Sequence, residues 1–299
     1  MDFSKPAISI SDQIIKLTER GLKIDNNGIA LDLLSCISYY RLRAYTYPFQ
    51  DNTNHCHPFI KEVTFEEIID LYRFDSKLRH LIFEAIEKIE VAFRTQIINQ
   101  WGVKFGSHWQ LQSNLYRNIE AFNKQIVKLE TEIDHSKETF IEHYKGKYSN
   151  PTTPPSWMCI EISSFGLLSQ MFWNLKKGEE KKAVTKYFGL NDISVLENWM
   201  HSLNNIRNIC AHHGRLWNRR FTNNLRFPTN PRNQFLEDLS IHPNKLYGVI
   251  CCMEYILRII RPESTLQNNL IALINTCPLA QEKEMGFPVG WQEDKFWRI

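Results

Sequence analysis

The stretch NNIRNICAHHGRLWNRR spans Asn204 to Arg220 and continues an amphipathic pattern that begins upstream. Apolar residues recur there at alternating steps of three and four: Leu196, Trp199, Leu203, Ile206 and Cys210. That spacing predicts one apolar stripe along an α-helix. Similar stripes recur along the chain, and no long segment alternates apolar and polar residues as a β-strand does. The sequence therefore predicts an all-α fold, a helical bundle with extra helices at both ends.

The polar side of this predicted helix carries amide and imidazole groups and no carboxylate. Four residues fall together opposite the stripe at about 100° per residue: His201, Asn205, Asn208 and His212. Arg207 and His213 lie at the two edges of the stripe. Gly214 is predicted to stop the helix, which places His212 and His213 in its last turn.

The charge of the chain is unevenly distributed. The formal net charge is only +3, yet the segment 198–235 contains no Asp or Glu, six Arg and three His. A local basic zone of this kind is typical of a polyanion-binding surface, although a solvated basic loop has the same composition. The residues that we expect to contact a polyanion such as RNA are Arg215, Asn218, Arg219, Arg220 and Arg226, together with Tyr40 and Arg41 from a Tyr- and Arg-rich segment. For Tyr40 and Arg41, a tyrosine-rich packing corner is the alternative.

Cysteine usage and the N-terminus predict a protein of the reducing cytoplasm. The seven cysteines include no C-x-x-C pair, and the first residues lack the basic start and long apolar run of a signal peptide. No uncharged apolar run is long enough for a membrane span. His55, Cys56 and His57 offer too few ligands for a zinc site, so we expect no metal and no cofactor.

The pattern also predicts how the chain is divided. Residues 1–60 read as an N-terminal helical extension, 61–261 as the helical core and 262–299 as a C-terminal helix with an aromatic tail, all within one compact unit. Single helices are predicted for 29–40, for 65–101 with a stop at Gly102, for 119–144 and for 157–175. The i,i+4 pairs Asp75/Arg79 and Glu90/Arg94 have two interpretations. They are ordinary helix salt bridges, or they hold the helix that contains residues 196–210 in place.

The motif resembles a known family. Arg207-Asn208-x-x-x-His212 is similar to the R-N-x-x-x-H signature of the HEPN superfamily, and the longer run RNICAHHGRLWNR closely resembles its bacterial abortive-infection (AbiD- and AbiF-like) proteins. Four further pieces resemble the same family in the same order: SYYRL at 38–42, LYRFDSKLR at 71–79, IEVAFR at 89–94 and PSWMCIEISSFGLLS at 155–169. The resemblance implies a HEPN-like helical bundle.

The resemblance also implies a chemistry. Many HEPN proteins are metal-independent ribonucleases, in which the ribose 2′-OH attacks the adjacent phosphate. Arg207 would then stabilise charge on the phosphoryl oxygens, His212 would transfer protons and Asn208 would orient one of these groups, with His213 as the alternative proton-transfer residue. The expected protein is a toxin of antiviral defence that acts as a homodimer with both motif helices at the interface, with RNA as substrate and a non-coding RNA as a further partner. A non-catalytic module that holds a regulatory RNA, and an enzyme of nucleotide chemistry, are the alternatives.

Overall fold

Helices form the regular structure of residues 6–298, the range that the computed structural model describes. No strand occurs in this range, and the only extended pairings are isolated bridges, so the all-α prediction is confirmed. The twelve α-helices of the described range are α1 (Ile10–Glu19), α2 (Asn27–Cys36), α3 (Tyr39–Thr46), α4 (Phe65–Phe105), α5 (Ile119–His135), α6 (Thr139–Lys147), α7 (Ser156–Ile162), α8 (Phe165–Asn174), α9 (Glu179–Tyr187), α10 (Ile193–Ala211), α11 (Leu246–Ile260) and α12 (Leu266–Ile274). The first five residues of the predicted extension and Ile299 of the predicted tail lie outside the described residues.

Local capping sets the beginning of the long helix α4. The Thr64 backbone N–H donates to Glu67 Oε2 at 2.8 Å, and the Glu67 N–H donates back to Thr64 Oγ1 at 3.2 Å, which is the capping box that the T-x-x-E spacing of these residues predicts. The predicted stop at Gly102 is wrong, because α4 continues to Phe105. The residue in the left-handed region is Gly106, with φ of 87°.

Three stretches that we predicted as single helices are each broken in two. The breaks separate α2 from α3, α5 from α6 and α7 from α8. Ser38 and Ser164 have extended backbones and cap the helices that follow, with side chains that accept from the N–H groups of Arg41 and Leu167. Serine hydroxyls compete with helical bonding in this way, and apolar periodicity alone does not reveal it.

The chain divides into two compact units, and the first comprises the described residues up to Arg79 together with Leu270–Gln281. A buried polar cluster joins α3 to the beginning of α4 within this unit. Tyr45 Oη donates to Asp75 Oδ2 at 2.7 Å, and Arg79 Nη1 lies 2.6 Å from the same oxygen. The pair Asp75/Arg79 is therefore a buried ion pair with a third partner on α3. Burial, followed by the Asp75 charge, raises the pKa of the Tyr45 hydroxyl well above its usual range.

The second unit comprises His80–Asn269 and the described residues from Glu282 onward. Within it α8 packs on α10, where Gly166 lies against Asn204. A Cβ at Gly166 would lie 3.4 Å from both Asn204 Nδ2 and Oδ1, so this glycine permits the close approach. Arg94 pairs with Glu90 and donates to the carbonyl oxygens of Ile160 and Glu161, so it caps the end of α7.

The aromatic tail packs within the second unit. Trp291, Phe296 and Trp297 are buried, and Trp297 Nε1 donates to Tyr247 Oη at 3.0 Å. The predicted boundaries at residues 60 and 261 stay a prediction. None of the helices in the described part of the chain combines the length and apolar character that crossing a bilayer requires.

Candidate functional site

The last turn of α10 ends in a paired-bond cap. The Gly214 N–H donates to the Ile209 carbonyl oxygen at 2.7 Å, and the His213 N–H donates to the Cys210 carbonyl oxygen at 3.0 Å. This is the bonding pattern of a Schellman motif, in which the residue after the C-cap takes the left-handed conformation. That residue is His213, with φ of 56°. The prediction that Gly214 stops a helix containing both histidines is therefore wrong: α10 ends at Ala211 and His212 is the C-cap.

The need for glycine at position 214 has a steric origin. A Cβ there would lie 3.0 Å from Ile209 Cγ2 and 3.2 Å from the Ile209 carbonyl oxygen. The left-handed position is one residue earlier, at His213, where a residue with a side chain costs about 1–2 kcal/mol relative to glycine.

The two histidines leave the helix in different directions. The His212 N–H still donates to the Asn208 carbonyl oxygen at 3.0 Å, so the His212 side chain continues the row that Asn208 occupies. The backbone turns away at His213. Asn208 and His212 are both exposed, and they form an amide-and-imidazole pair open to solvent.

Arg207 lies on another side of α10. It is half-buried, and its guanidinium carbon lies 5.6 Å from the centroid of the Phe83 ring on α4. Five residues of helix place its Cβ about 140° around the axis from that of His212. The guanidinium and the imidazole of one chain therefore start from different sides of the helix, and Arg207 is oriented by a cation–π contact.

The segment 218–226, which we call the return segment, runs back along α10. Near its end the Arg226 N–H donates to Asn198 Oδ1 at 2.8 Å, and Trp199 Nε1 donates to the Arg226 carbonyl oxygen at 2.7 Å. Arg219 and Arg220 line a small cavity with Asn205. The basic zone thus extends from the motif towards the middle of α10.

Lys245 is a cation that our sequence analysis missed. Its Nζ donates to Asn218 Oδ1 at 3.3 Å and to the Glu284 carbonyl oxygen at 2.8 Å. Burial lowers the pKa of the Lys245 ammonium; Glu284 opposes this shift, while the charges of Arg220 and Arg215 add to it. Lys245 is far from the motif in sequence and belongs to no local pattern, so only the folded chain places it beside these arginines.

Four arginines of the basic zone form no ion pair with a carboxylate in the described part of the chain. Among residues 6–298, no carboxylate lies within 4.0 Å of the guanidinium of Arg207, Arg219, Arg220 or Arg226. Arg219 Nη1 instead donates to the Arg215 carbonyl oxygen at 3.2 Å, and Arg215 Nη2 to the Asn218 carbonyl oxygen at 3.4 Å. Arg215 and Arg219 follow the C-terminal end of α10, which is the negative end of its dipole, so phosphate binding there would depend on their charge.

The other predicted site residues lie elsewhere. Tyr40 and Arg41 are exposed on α3 in the first unit, whereas the motif belongs to the second; Tyr40 is 85% exposed. The predicted supports of α10 have other partners: Asp75 and Arg79 bind Tyr45, and Arg94 binds the end of α7. Within residues 6–298, no three or more His, Cys, Asp or Glu side chains are arranged to hold a metal ion.

A known protein family matches the part of the chain that contains the motif. The model of a family described as Abi-like protein matches residues 32–218, more than half of the chain. The chain belongs to the Abi-like protein family. Membership of this family suggests a role in abortive-infection defence. No significant match to the chain was found among curated proteins or among solved structures.

In this Abi-like protein the matched range ends inside the basic zone. It includes the motif residues from Arg207 to His213 and ends at Asn218. Arg219, Arg220, Arg226 and Lys245 lie beyond it. The cations along the return segment are thus features of this chain that the family match does not cover.

Proposed function

We propose that this Abi-like protein is a metal-independent endoribonuclease that acts as a toxin in abortive-infection defence. The observation that carries the proposal is the solvent-exposed pair Asn208 and His212, next to Arg207 and bordered by a zone without carboxylates. An imidazole can exchange protons near neutral pH, and a guanidinium can hold phosphoryl oxygens in a bidentate manner. HEPN superfamily membership is part of the same proposal and follows from the R-N-x-x-x-H spacing.

The proposed reaction uses the nucleophile that RNA supplies. His212 takes the proton of the ribose 2′-OH as its oxygen bonds to phosphorus, and the P–O5′ bond breaks. The imidazolium of His212 then gives that proton to the 5′-oxygen, and the products are a 2′,3′-cyclic phosphate and a 5′-OH. Arg207 stabilises the charge on the phosphoryl oxygens, and Asn208 orients His212 or the phosphate.

The geometry favours a homodimer as the active form. Arg207 and His212 start about 140° apart on the helix, so their side chains diverge within one chain. A second copy across a twofold axis would bring Arg207 of one α10 towards His212 of the other.

The alternative function is a non-catalytic module that holds a regulatory non-coding RNA. The observation that favours it is the return segment, whose arginines extend the basic zone away from the motif. Such a surface binds a phosphate backbone whether or not the motif cleaves it. Both functions therefore predict the same affinity for RNA, and only the ribonuclease also predicts cleavage products.

A cleavage assay in EDTA separates these functions. Wild type, Arg207→Ala and His212→Ala are incubated with single-stranded RNA, and the ends of the products are mapped. We expect cleavage by the wild type alone, with RNA binding retained by His212→Ala. Binding without cleavage by the wild type would support the non-catalytic module, and undiminished cleavage by both variants would exclude the assigned residues.

A further inference from the structure

A second recess lies against α10 in the same compact unit, away from the motif. It has a volume of about 360 Å³, and we call it the Trp173 recess. Its lining includes Trp173 of α8, Glu197, Asn198 and His201 of α10, and Arg226 of the return segment. Of these five residues, only Arg226 was predicted from the sequence to contact RNA. The recess itself is a feature of the folded chain.

The Trp173 ring is held in place by its neighbours, and about half of the residue is exposed to solvent. The guanidinium carbon of Arg117 lies 3.9 Å from the ring centroid and covers one face. The backbone is also fixed, because Lys181 Nζ donates to the Trp173 carbonyl oxygen at 3.1 Å. The side chain remains 49% exposed. A rigid aromatic surface of this kind suits stacking with a nucleobase, because every base has a π-face.

The charges in the recess favour an anion. The one carboxylate in its lining, Glu197, is paired with the fully buried Lys181, whose Nζ lies 2.6 Å from Glu197 Oε1. Arg117 Nη2 lies 3.9 Å from the same oxygen. Arg226 and His201 are exposed, and no carboxylate among residues 6–298 pairs with Arg226. A guanidinium beside an open indole therefore offers contacts to both the phosphate and the base of a nucleotide.

The recess lies on the face of α10 that carries Asn208 and His212 of the motif. His201 shares that face with Asn208 and His212, and the eleven helical steps from residue 201 to residue 212 span about 16 Å. Arg219 and Arg220 line a cavity with Asn205, which lies between the two ends of this face. A polyanion lying along the helix would meet cations from one end to the other.

We propose that the Trp173 recess is a subsite for one nucleotide of a single-stranded RNA whose cleaved phosphate lies at His212. The base stacks on Trp173, and its phosphate contacts Arg226 and His201. The proposal rests on the proposed function, since it takes RNA as the ligand of the motif.

The first test compares a long and a minimal substrate. With single-stranded RNA that reaches both sites, we expect Trp173→Ala to lower kcat/KM about tenfold, as the loss of one stacked base does, and Trp173→Phe to restore most of it. With a dinucleotide, which cannot reach the recess, Trp173→Ala should leave kcat/KM unchanged. Trp157→Ala is the matched control, because Trp157 is 48% exposed on α7 outside the recess. Equal kcat/KM for Trp173→Ala and Trp157→Ala on the long RNA would overturn the proposal, as would an equal loss on both substrates.

The second test is independent of cleavage. In full-length His212→Ala, the affinity for a labelled single-stranded RNA oligonucleotide is measured with and without Arg226→Gln. We expect Arg226→Gln to weaken binding and to reduce the salt slope by about one. Arg232→Gln is the matched control, because it also removes one positive charge from the basic zone but lies outside the recess. It should weaken RNA binding less than Arg226→Gln does. If the wild type does not cleave but this difference holds, the subsite stands and the nuclease function fails. If the wild type cleaves and Arg226→Gln equals Arg232→Gln, or if the chain binds no RNA, the subsite is excluded.

Discussion

The backbone N–H of His213 donates to the Cys210 carbonyl oxygen at 3.0 Å, and this bond accompanies the left-handed conformation of His213. The preceding residue, His212, keeps a helical bond to the Asn208 carbonyl oxygen. Two adjacent histidines therefore have different structural positions: His212 continues the exposed row of α10, and His213 forms the turn that closes it. This difference supports His212 as the proton-transfer residue.

The strain at His213 predicts a stability difference between two substitutions. His213→Gly should be more stable than His213→Ala by about 1 kcal/mol, because only glycine relieves the left-handed strain while both remove the imidazole. Urea denaturation of the two variants measures the difference. Both should retain RNA cleavage if His212 transfers the proton. A loss in both as large as in His212→Ala would assign that role to His213.

The contact between Arg207 and Phe83 predicts a graded effect on cleavage. Phe83→Leu keeps an apolar side chain but removes the π-face, so we expect kcat/KM to fall about three- to fivefold, as the loss of a partly exposed cation–π contact implies. Arg207→Ala should lower cleavage by at least about a hundredfold, because the charge itself is lost. Thermal denaturation of each variant controls for folding. An effect of Phe83→Leu as large as that of Arg207→Ala would mean that Phe83 does more than orient the guanidinium.

The divergence of Arg207 and His212 within one chain predicts complementation between inactive variants. If each site combines Arg207 of one chain with His212 of another, a mixture of Arg207→Ala and His212→Ala chains contains dimers with one intact site. After random exchange of subunits, about one quarter of wild-type activity should return. Activity is measured before and after co-refolding of the two variants. No recovery, with dimers present by light scattering, would place both residues of a site in one chain.

The buried cluster at the beginning of α4 predicts a large stability effect. Asp75→Ala leaves the Arg79 charge without its buried carboxylate partner and should lower the free energy of unfolding by about 3–5 kcal/mol. Tyr45→Phe removes one hydrogen bond to that carboxylate and should cost about 1.5–3 kcal/mol. Chemical denaturation gives both values. The double variant Asp75→Leu with Arg79→Met should recover most of the loss, and a double variant as unstable as Asp75→Ala would contradict the ion-pair explanation.

The buried ammonium of Lys181 predicts a dependence of stability on pH. Burial lowers the pKa of Lys181 to about 8, with Glu197 opposing the shift, against 10.5 for an ordinary lysine. Between these values the unfolded chain binds more protons than the folded chain, so the free energy of unfolding rises with pH. From pH 8 to 9 this contribution is about 1 kcal/mol. Denaturation at both pH values should show a steeper rise for the wild type than for Lys181→Met, in which the other titrating groups remain. Equal slopes would contradict a lowered pKa at Lys181.

Helix beginnings and apolar faces could be predicted from the sequence because they depend on residues a few positions apart. The T-x-x-E spacing of Thr64 and Glu67 predicts the capping box that begins α4. The sequence predicts Asn191 or Asp192 as the cap of α10, and Asp192 is the residue that caps it. Helix breaks were harder to predict. The apolar stripe continues through the break at Ser163 and Ser164, so periodicity predicted one helix where two exist. The predicted end of α10 was wrong for a related reason. Glycine is required at position 214 because of the contact with Ile209, and not because its own backbone is left-handed.

By itself, the sequence determined the helical class of the chain, the family to which it belongs, the motif on α10 and the acid-free zone that follows it. Only the tertiary structure decided that the return segment lies along α10, that Lys245 joins its arginines and that Trp173 and Arg226 line one recess. The physical reason is the range of the interactions. Periodicity, caps and local charge act between residues a few positions apart, whereas these contacts join residues dozens of positions apart, and packing alone brings such residues together.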